Sequence, residues 1–170
     1  MVPGKGTRPI GDRQKESLFN IIGRDIEEAT FLDLFAGTGS VGIEALSRGA
    51  SMAVFFDTSR QAIRTIEANL ELTGLTERAT AFQANSLNKL RSPSTVGYDY
   101  IYIAPPQYHG MWEEALLAVD QSEGWCNPDA WVIVQIHPEE YKDLELNKLV
   151  VFDSRKYGKT LLVFYCWPGE

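Results

Sequence analysis

Residues 31–42 read FLDLFAGTGSVG, and this stretch decides how the rest of the chain is parsed. Phe31, Leu32, Leu34 and Phe35 form an apolar run broken only by Asp33, the pattern of a short strand buried on both faces. Gly37 and Gly39 permit the torsions of a tight turn, and Gly42 lets the following helix lie close to a sheet. That helix is expected over about Ser40–Arg48, stopped by Gly49, with its N-terminal amides aimed at whatever occupies the turn.

Gly37 to Gly42 also satisfies G-x-G-x-x-G, so a dinucleotide site has to be weighed. A second strand, Ala53–Phe56, ends in Asp57, about 20 residues past the first glycine, where a carboxylate can accept both ribose hydroxyls. Either cofactor class uses such an acid. Asp33 separates them: a carboxylate inside the strand beside the turn suits a cofactor with a cationic centre and an amino-acid tail, such as S-adenosylmethionine (AdoMet), better than a pyrophosphate. As a strand-end cap it would have no cofactor role.

Outward from this centre the chain alternates. A helix from an Asp12 N-cap to Ile22 precedes it, carrying Leu18, Phe19 and Ile22 on one face. After Asp57, Thr58 or Ser59 can cap a helix bearing Ala62, Ile63, Ile66 and Leu70 that stops at Gly74. Ala79–Gln83 is a third strand, leading through Ala84, Asn85 and Ser86 into a short helix to Leu90. Asn85 at a strand exit can donate to and accept from an adenine edge, or simply cap the helix. Tyr98–Ile103 is a fourth strand running into Ala104-Pro105-Pro106-Gln107-Tyr108. Met111–Gln121 is an amphipathic helix and Trp131–Ile136 a fifth strand.

This βαβα rhythm predicts an α/β fold, a single Rossmann-like domain with a mostly parallel doubly wound sheet. Ligands in such sheets bind at the carboxyl ends of strands, where the glycine turn, Asp57, Asn85 and the proline pair all fall. The ending differs. Leu149–Phe152 and Thr160–Trp167 are joined around Lys156–Lys159, too short a link for a crossover helix, so they form a C-terminal antiparallel hairpin. That is the plan of an AdoMet-dependent methyltransferase.

The whole chain has 170 residues, 44% hydrophobic and 23% charged, enough for one core and too few for two. It contains no apolar run approaching about 18 residues and no signal-peptide pattern, so a soluble cytoplasmic protein without a membrane partner is expected. Cys126 and Cys166 make no C-x-x-C, and with only His109 and His137 besides no metal site is expected. A net charge of −7 excludes a surface that grips nucleic acid everywhere. Lys5, Arg8, Arg13 and Lys15 face a single acid, Asp12, in a local basic stretch suited either to phosphate or to solvent.

At this point the chain resembles the RsmD-type methyltransferases, which modify the exocyclic N2 of one guanine in small-subunit (16S) ribosomal RNA. Arg8-Pro9, Asp12-Arg13 and Lys15 to Asn20 look like the family's N-terminal signature, and Phe31 to Ala50 resembles its AdoMet loop almost residue for residue. Tyr157-Gly158 with Thr160 looks like its C-terminal hairpin. Members usually carry an extra strand and basic residues before the arm, so one RNA contact is expected to be missing here.

The resemblance implies that Asp33, the turn Phe35, Ala36, Gly37, Thr38 and Gly39, then Asp57 with Thr58 and Asn85 with Ser86, hold AdoMet. It implies a catalytic loop at Ala104, Pro105, Pro106, Gln107 and Tyr108. It also implies RNA contacts at Arg8, Arg13 and Lys15, with residues 1–24 as an RNA-contacting arm and helix and 25–170 as the methyltransferase domain. The partner would be small-subunit rRNA or an assembling small subunit, and the protein a monomer.

Two positions depart from the pattern: the adenine-contact position is usually Asp and here is Asn85, a mild change, and the larger departure is in the catalytic loop. Amino-N methyltransferases usually read Asp or Asn, Pro, Pro, then Tyr or Phe, because a side-chain oxygen and the first proline's carbonyl accept the two amino N–H groups while an aromatic ring stacks on the base. Ala104 accepts nothing. Loss of one preorganised contact typically costs about 10² to 10³ in rate, and Gln107 is a candidate replacement oxygen. The alternatives are a degenerate AdoMet- or RNA-binding relative, or a methyltransferase of a small-molecule or protein amine; an NAD oxidoreductase comes last.

Overall fold

The computed structural model describes residues 10–106 and 110–169, so Arg8, Gln107, Tyr108 and most of the N-terminal arm lie outside the described residues. Seven strands form one sheet in the order β3-β2-β1-β4-β5-β7-β6. They are β1 (Thr30–Asp33), β2 (Met52–Asp57), β3 (Ala79–Gln83), β4 (Tyr98–Ile103), β5 (Cys126–Ile136), β6 (Val150–Tyr157) and β7 (Thr160–Cys166). The first five are mutually parallel and β7 runs antiparallel to both β5 and β6, which is the predicted ending.

The helices are α1 (Asp12–Ile22), α2 (Ser40–Ser47), α3 (Arg60–Thr73), α4 (Ser86–Leu90) and α5 (Met111–Gln121). Strand alternation sends successive side chains to opposite faces and builds two cores. Phe31, Phe55, Tyr102, Ile133 and Phe164 pack beneath α1, α2 and α3, meeting Leu18, Phe19, Val41, Ala45, Ile66 and Leu70. Leu32, Val54, Ile101, Val132 and Val163 pack beneath α4 and α5, meeting Leu90, Trp112, Leu116 and Val119. No helix among the described residues is long and apolar enough to cross a membrane.

Three boundaries differ from expectation. Asp12 is the first residue of α1 instead of its cap: Gly11 holds the capping position with extended torsions, and its carbonyl accepts from the Lys15 amide. β5 begins five residues early, at Cys126, because Cys126 pairs with Tyr98 before an irregularity restores the register at Trp131 and Tyr100. β6 runs on to Tyr157, since Asp153 to Tyr157 continue the ladder with β7 and leave only Gly158 and Lys159 as the turn. Polar residues on an edge strand give no hydrophobic signal, and only the pairing reveals them.

Connections between distant segments come from side chains. Asp120, at the end of α5, is buried and accepts three amides, Asn147 at 2.6 Å and Lys148 and Leu149 at 2.9 Å each, fixing the entry into β6. The Ser17 hydroxyl meets the Tyr157 hydroxyl and ties α1 to the hairpin tip.

Candidate functional site

The carboxyl edge of the parallel strands carries the site. β1 hands over to the glycine turn, and the turn is held by its own backbone: the Gly39 amide donates to the Ala36 carbonyl at 2.8 Å and the Ala36 amide to the Phe56 carbonyl at 2.9 Å. Gly37 and Gly39 have φ of 59° and 81°, a region that disfavours any side chain. A Cβ on Gly42 would lie 2.4 Å from the Phe55 ring, so α2 sits against β2 only because residue 42 is glycine. The Asn69 side chain donates to the Thr38 carbonyl at 3.0 Å and braces the turn from α3.

Two carboxylates flank this turn. Asp57 accepts the Gly37 amide on one oxygen and the Ser59 amide on the other, both at 2.9 Å, so it joins the glycine turn to the start of α3, which Ser59 caps. Asp33 is 1% exposed, and its Oδ1 has no hydrogen-bond partner among the described residues. Burial pushes its carboxyl up to about 7; the Phe35 amide opposes this and the nearby Asp57 charge adds to it. An orphaned buried oxygen is costly unless a ligand completes it, and a cationic amino group is the complement it lacks. The chain therefore fits AdoMet at this turn: a glycine cradle that Cβ atoms would fill, a buried acid for the amine and a second acid for ribose hydroxyls.

Asn85 lies one strand further on. Its Oδ1 accepts the Asn88 amide at 3.2 Å, so it caps α4. Ser86 is buried beside it. Ala84, Asn85, Asn88, Lys89, Ser92 to Thr95 and Trp125 line an adjoining open cleft of about 680 Å³.

On the other side of β1, β4 ends at Ile103 and continues into Ala104, half-buried, and Pro105, buried. Beneath this exit lies a polar pair that local sequence patterns do not disclose. The Tyr102 hydroxyl donates to Gln135 Oε1, and both side chains are buried. Tyr102 stands in register with Asp33 across β1, and desolvation together with that acid holds its phenol well above the usual range.

The expected RNA residues fare differently. Arg13 is exposed on α1, whereas Lys15 pairs with Glu44 at 3.7 Å, and Glu44 also binds Arg48 at 2.8 Å. Among the described residues no cluster of His, Cys, Asp or Glu is placed to hold a metal ion, and both cysteines are thiols.

Residues 1–166 match the family model described as "Conserved hypothetical protein 95". The chain is 33% identical to the Bacillus subtilis protein YlbH over 166 residues, covering 96% of this chain and 90% of that protein. It is 33% identical over 138 residues to ribosomal RNA small subunit methyltransferase D of Haemophilus influenzae, covering 80% and 71% of the two chains. Among solved structures, yhhF from Escherichia coli superposes with a TM-score of 0.85 at 24% identity over 99% of this chain and 92% of that one. An RNA methyltransferase from Salinibacter ruber in complex with S-adenosyl-L-homocysteine superposes with a TM-score of 0.70 at 13% identity, covering 96% and 95% of the two chains.

Proposed function

Because the chain belongs to the family described as Conserved hypothetical protein 95, the RsmD-type methyltransferases, we propose that it transfers a methyl group from AdoMet to the exocyclic N2 of a guanine in 16S ribosomal RNA. The protein is an AdoMet-dependent rRNA methyltransferase; the N2 position and the residues assigned below are our reading of its site.

The observation that carries the reading is Asp33 Oδ1, which has no partner among the described residues and is buried beside the glycine turn, one strand from the proline loop. Asp33 receives the cofactor's ammonium. The backbone of Phe35 to Gly39 borders its amino-acid tail, Asp57 and Thr58 take the ribose, and Asn85 with Ser86 takes the adenine edge. When bound, AdoMet supplies a methyl on a sulfonium: the nitrogen–carbon bond forms as the carbon–sulfur bond breaks, sulfur keeps the pair, and one amino proton leaves to solvent.

The chain's own task is to present the amine. A guanine amino group is weakly nucleophilic because its lone pair is delocalised into the ring. The Pro105 carbonyl accepts one N–H, the loop from Ala104 through Pro106 to Gln107 and Tyr108 borders the base, and the Tyr108 ring stacks on it. The target base has to be unstacked to reach this loop. Residues 1–24 act as the RNA-contacting segment through Arg8, Arg13 and Lys15, and residues 25–170 as the methyltransferase domain. The partner is the small ribosomal subunit or its RNA, the place of work the cytoplasm, and the protein a monomer.

The test is transfer of labelled methyl to small ribosomal subunits that lack the modification, with AdoMet binding followed calorimetrically on the same preparation. Label on guanine N2 is the expected result. AdoMet binding with no transfer to any subunit or rRNA form overturns the proposal.

A further inference from the structure

A base held in the loop after β4 stays joined to its own strand, so the phosphates that flank it must cross the surface around that exit. The glycine turn and its acids occupy the ends of β1 and β2, which leaves two approaches. One runs over α5 and the connection from β5 to β6, and it is acidic. Glu113 and Glu114 stand in the first turn of α5, and Glu139 and Asp143 follow β5 in a segment that Tyr141 stacks onto Trp112. The lysine among them, Lys142, is paired with Glu113 at 3.2 Å.

The other approach runs over the β6–β7 hairpin, and its charge is reversed. Arg155, Lys156 and Lys159 are exposed there, and the sequence holds no acid between Asp153 and Glu170. Register fixes how high on the sheet these cations stand. Ile103 at the end of β4 is opposite Val134, Val134 is opposite Val163, and Val163 is opposite Ser154. β6 runs the same way as β4, so Arg155 and Lys156 are level with Ala104 and Pro105, the first residues of the loop. Three strand spacings, roughly 14 Å, separate β6 from β4, which is too far for these side chains to touch the reacting base. A nucleic-acid strand at a duplex rise of about 3.4 Å per nucleotide covers that distance in about four nucleotides.

The tip is also held in place. Arg155 shares the face of its partner Leu162, beneath α1 to α3, and Lys156 shares that of Leu161, so the two straddle the edge of the sheet. Gly158, with φ of 60°, and Lys159 close the hairpin in two residues, and Ser17 meets Tyr157 to dock it on α1. Arg13 lies one turn before Ser17 on the same side of that helix, so this exposed cation adjoins those of the hairpin. Arg155 pairs with Asp153 at 3.1 Å, a surface pair that solvent screens and a phosphate can displace.

We propose that the tip of the β6–β7 hairpin is an RNA-binding element of this enzyme: Arg155 and Lys156 take phosphates of the substrate strand that flank the target base, continuing the track of Arg13 on α1. The inference rests on the reading of the protein as an rRNA methyltransferase and names where on the fold the RNA backbone runs.

The test reverses charge at the tip, Arg155→Glu with Lys156→Glu. Both positions are exposed, so the melting temperature should hold and the AdoMet dissociation constant should move by less than about threefold. Loaded with S-adenosyl-L-homocysteine, the double variant should bind unmodified small subunits at least about tenfold more weakly at low salt, and its salt slope should fall by about two phosphate contacts. In turnover the KM for subunits should rise in step, while kcat moves by less than about threefold. Lys156→Glu alone should lower both affinity and slope, whereas Arg24→Glu, the same change of net charge in the turn that follows α1, should leave the slope unchanged. A photoreactive amino acid at position 156 should cross-link to 16S rRNA near the target guanine.

Equal weakening by Arg24→Glu and Lys156→Glu overturns the inference, since that is the effect of net charge alone, and so does a cross-link confined to ribosomal protein. Affinity and salt slope unchanged in the double variant overturn it as well, and the parent reading stands if the unaltered protein still methylates the subunits. Absence of transfer by the unaltered protein overturns the parent reading, and this one with it.

Discussion

The two halves of the sheet's carboxyl edge are built on different principles. Around β1, β2 and β3 the site is shaped by backbone: two left-handed glycines, a helix laid against Phe55 by the lack of a Cβ at residue 42, and a carboxylate bound to two main-chain amides. Around β4, β5 and the hairpin it is shaped by side chains reaching between segments far apart in sequence. Tyr102 meets Gln135 and Ser17 meets Tyr157, and at the opposite edge of the sheet Asp120 holds the chain before β6. Backbone contacts hold one fixed shape, whereas side-chain contacts depend on the register between segments far apart in the sequence.

This contrast is open to direct attack. The largest effect is expected where the turn has least room. Gly42→Val drives a branched side chain into the Phe55 ring, and overpacking typically costs about 1 to 3 kcal/mol, enough to lower the melting temperature by several degrees and to weaken AdoMet binding together with it. An unchanged melting temperature would show that α2 can move off the sheet. On the other half, Asp120→Ala leaves three amides without their acceptor and should cost about 3 kcal/mol in denaturant unfolding, with AdoMet affinity per folded molecule unaltered.

A pH titration sharpens the cofactor half. The Asp33 carboxyl sits at about 7 in the folded protein against 3.8 in an unfolded chain. Between these values the native state holds the extra proton, so the ligand-free protein loses stability as pH rises through the window, by on the order of 4 kcal/mol in total. Binding a cationic amine needs the carboxylate, so AdoMet affinity should rise about tenfold per pH unit up to about 7 and then level off. Calorimetry in buffers of different ionisation heat should detect the released proton, and Asp33→Asn should remove both the release and the slope. A pH-independent affinity would place the amine elsewhere.

Smaller effects belong to the surface. Asp57→Ala should weaken AdoMet by about tenfold or more, because it removes the anchor of the Gly37 amide as well as the acid. Arg13→Ala should weaken RNA binding modestly and lower its salt slope by about one phosphate contact while leaving AdoMet affinity alone. Loss of AdoMet binding in that variant would refute the division of labour between the halves. The Lys15–Glu44 pair is exposed to solvent screening and should contribute less than about 1 kcal/mol.

Most of the fold was legible because its signals are local. Strand β1 and helix α3 announce themselves through apolar periodicity, and Ser59, Gly49 and Gly74 mark helix ends in the sequence as they do in space. The cofactor half shared this advantage, since Asp33, Gly37, Gly39 and Asp57 lie within 25 consecutive residues. Gln135 escaped notice because VIVQIH reads as a buried strand with one polar interruption, and Tyr102 because YDYIYI reads as core. The Lys15–Glu44 pair was not legible either, because α2 brings Glu44 beside Lys15 from a distant part of the chain.

By itself, then, the sequence determined the order of strands and helices, the parallel sheet with its antiparallel ending, and the glycine turn with its two acids. Each of these follows from torsional preference or from hydrophobic spacing over a few residues, and needs no knowledge of what lies across the sheet. The tertiary structure alone decided that one Asp33 oxygen has no partner among the described residues, that Lys15 pairs with Glu44, and that Gln135 meets Tyr102. Those are consequences of register and burial, which bring together residues from distant parts of the chain and set the cost of leaving any polar atom among them unpaired.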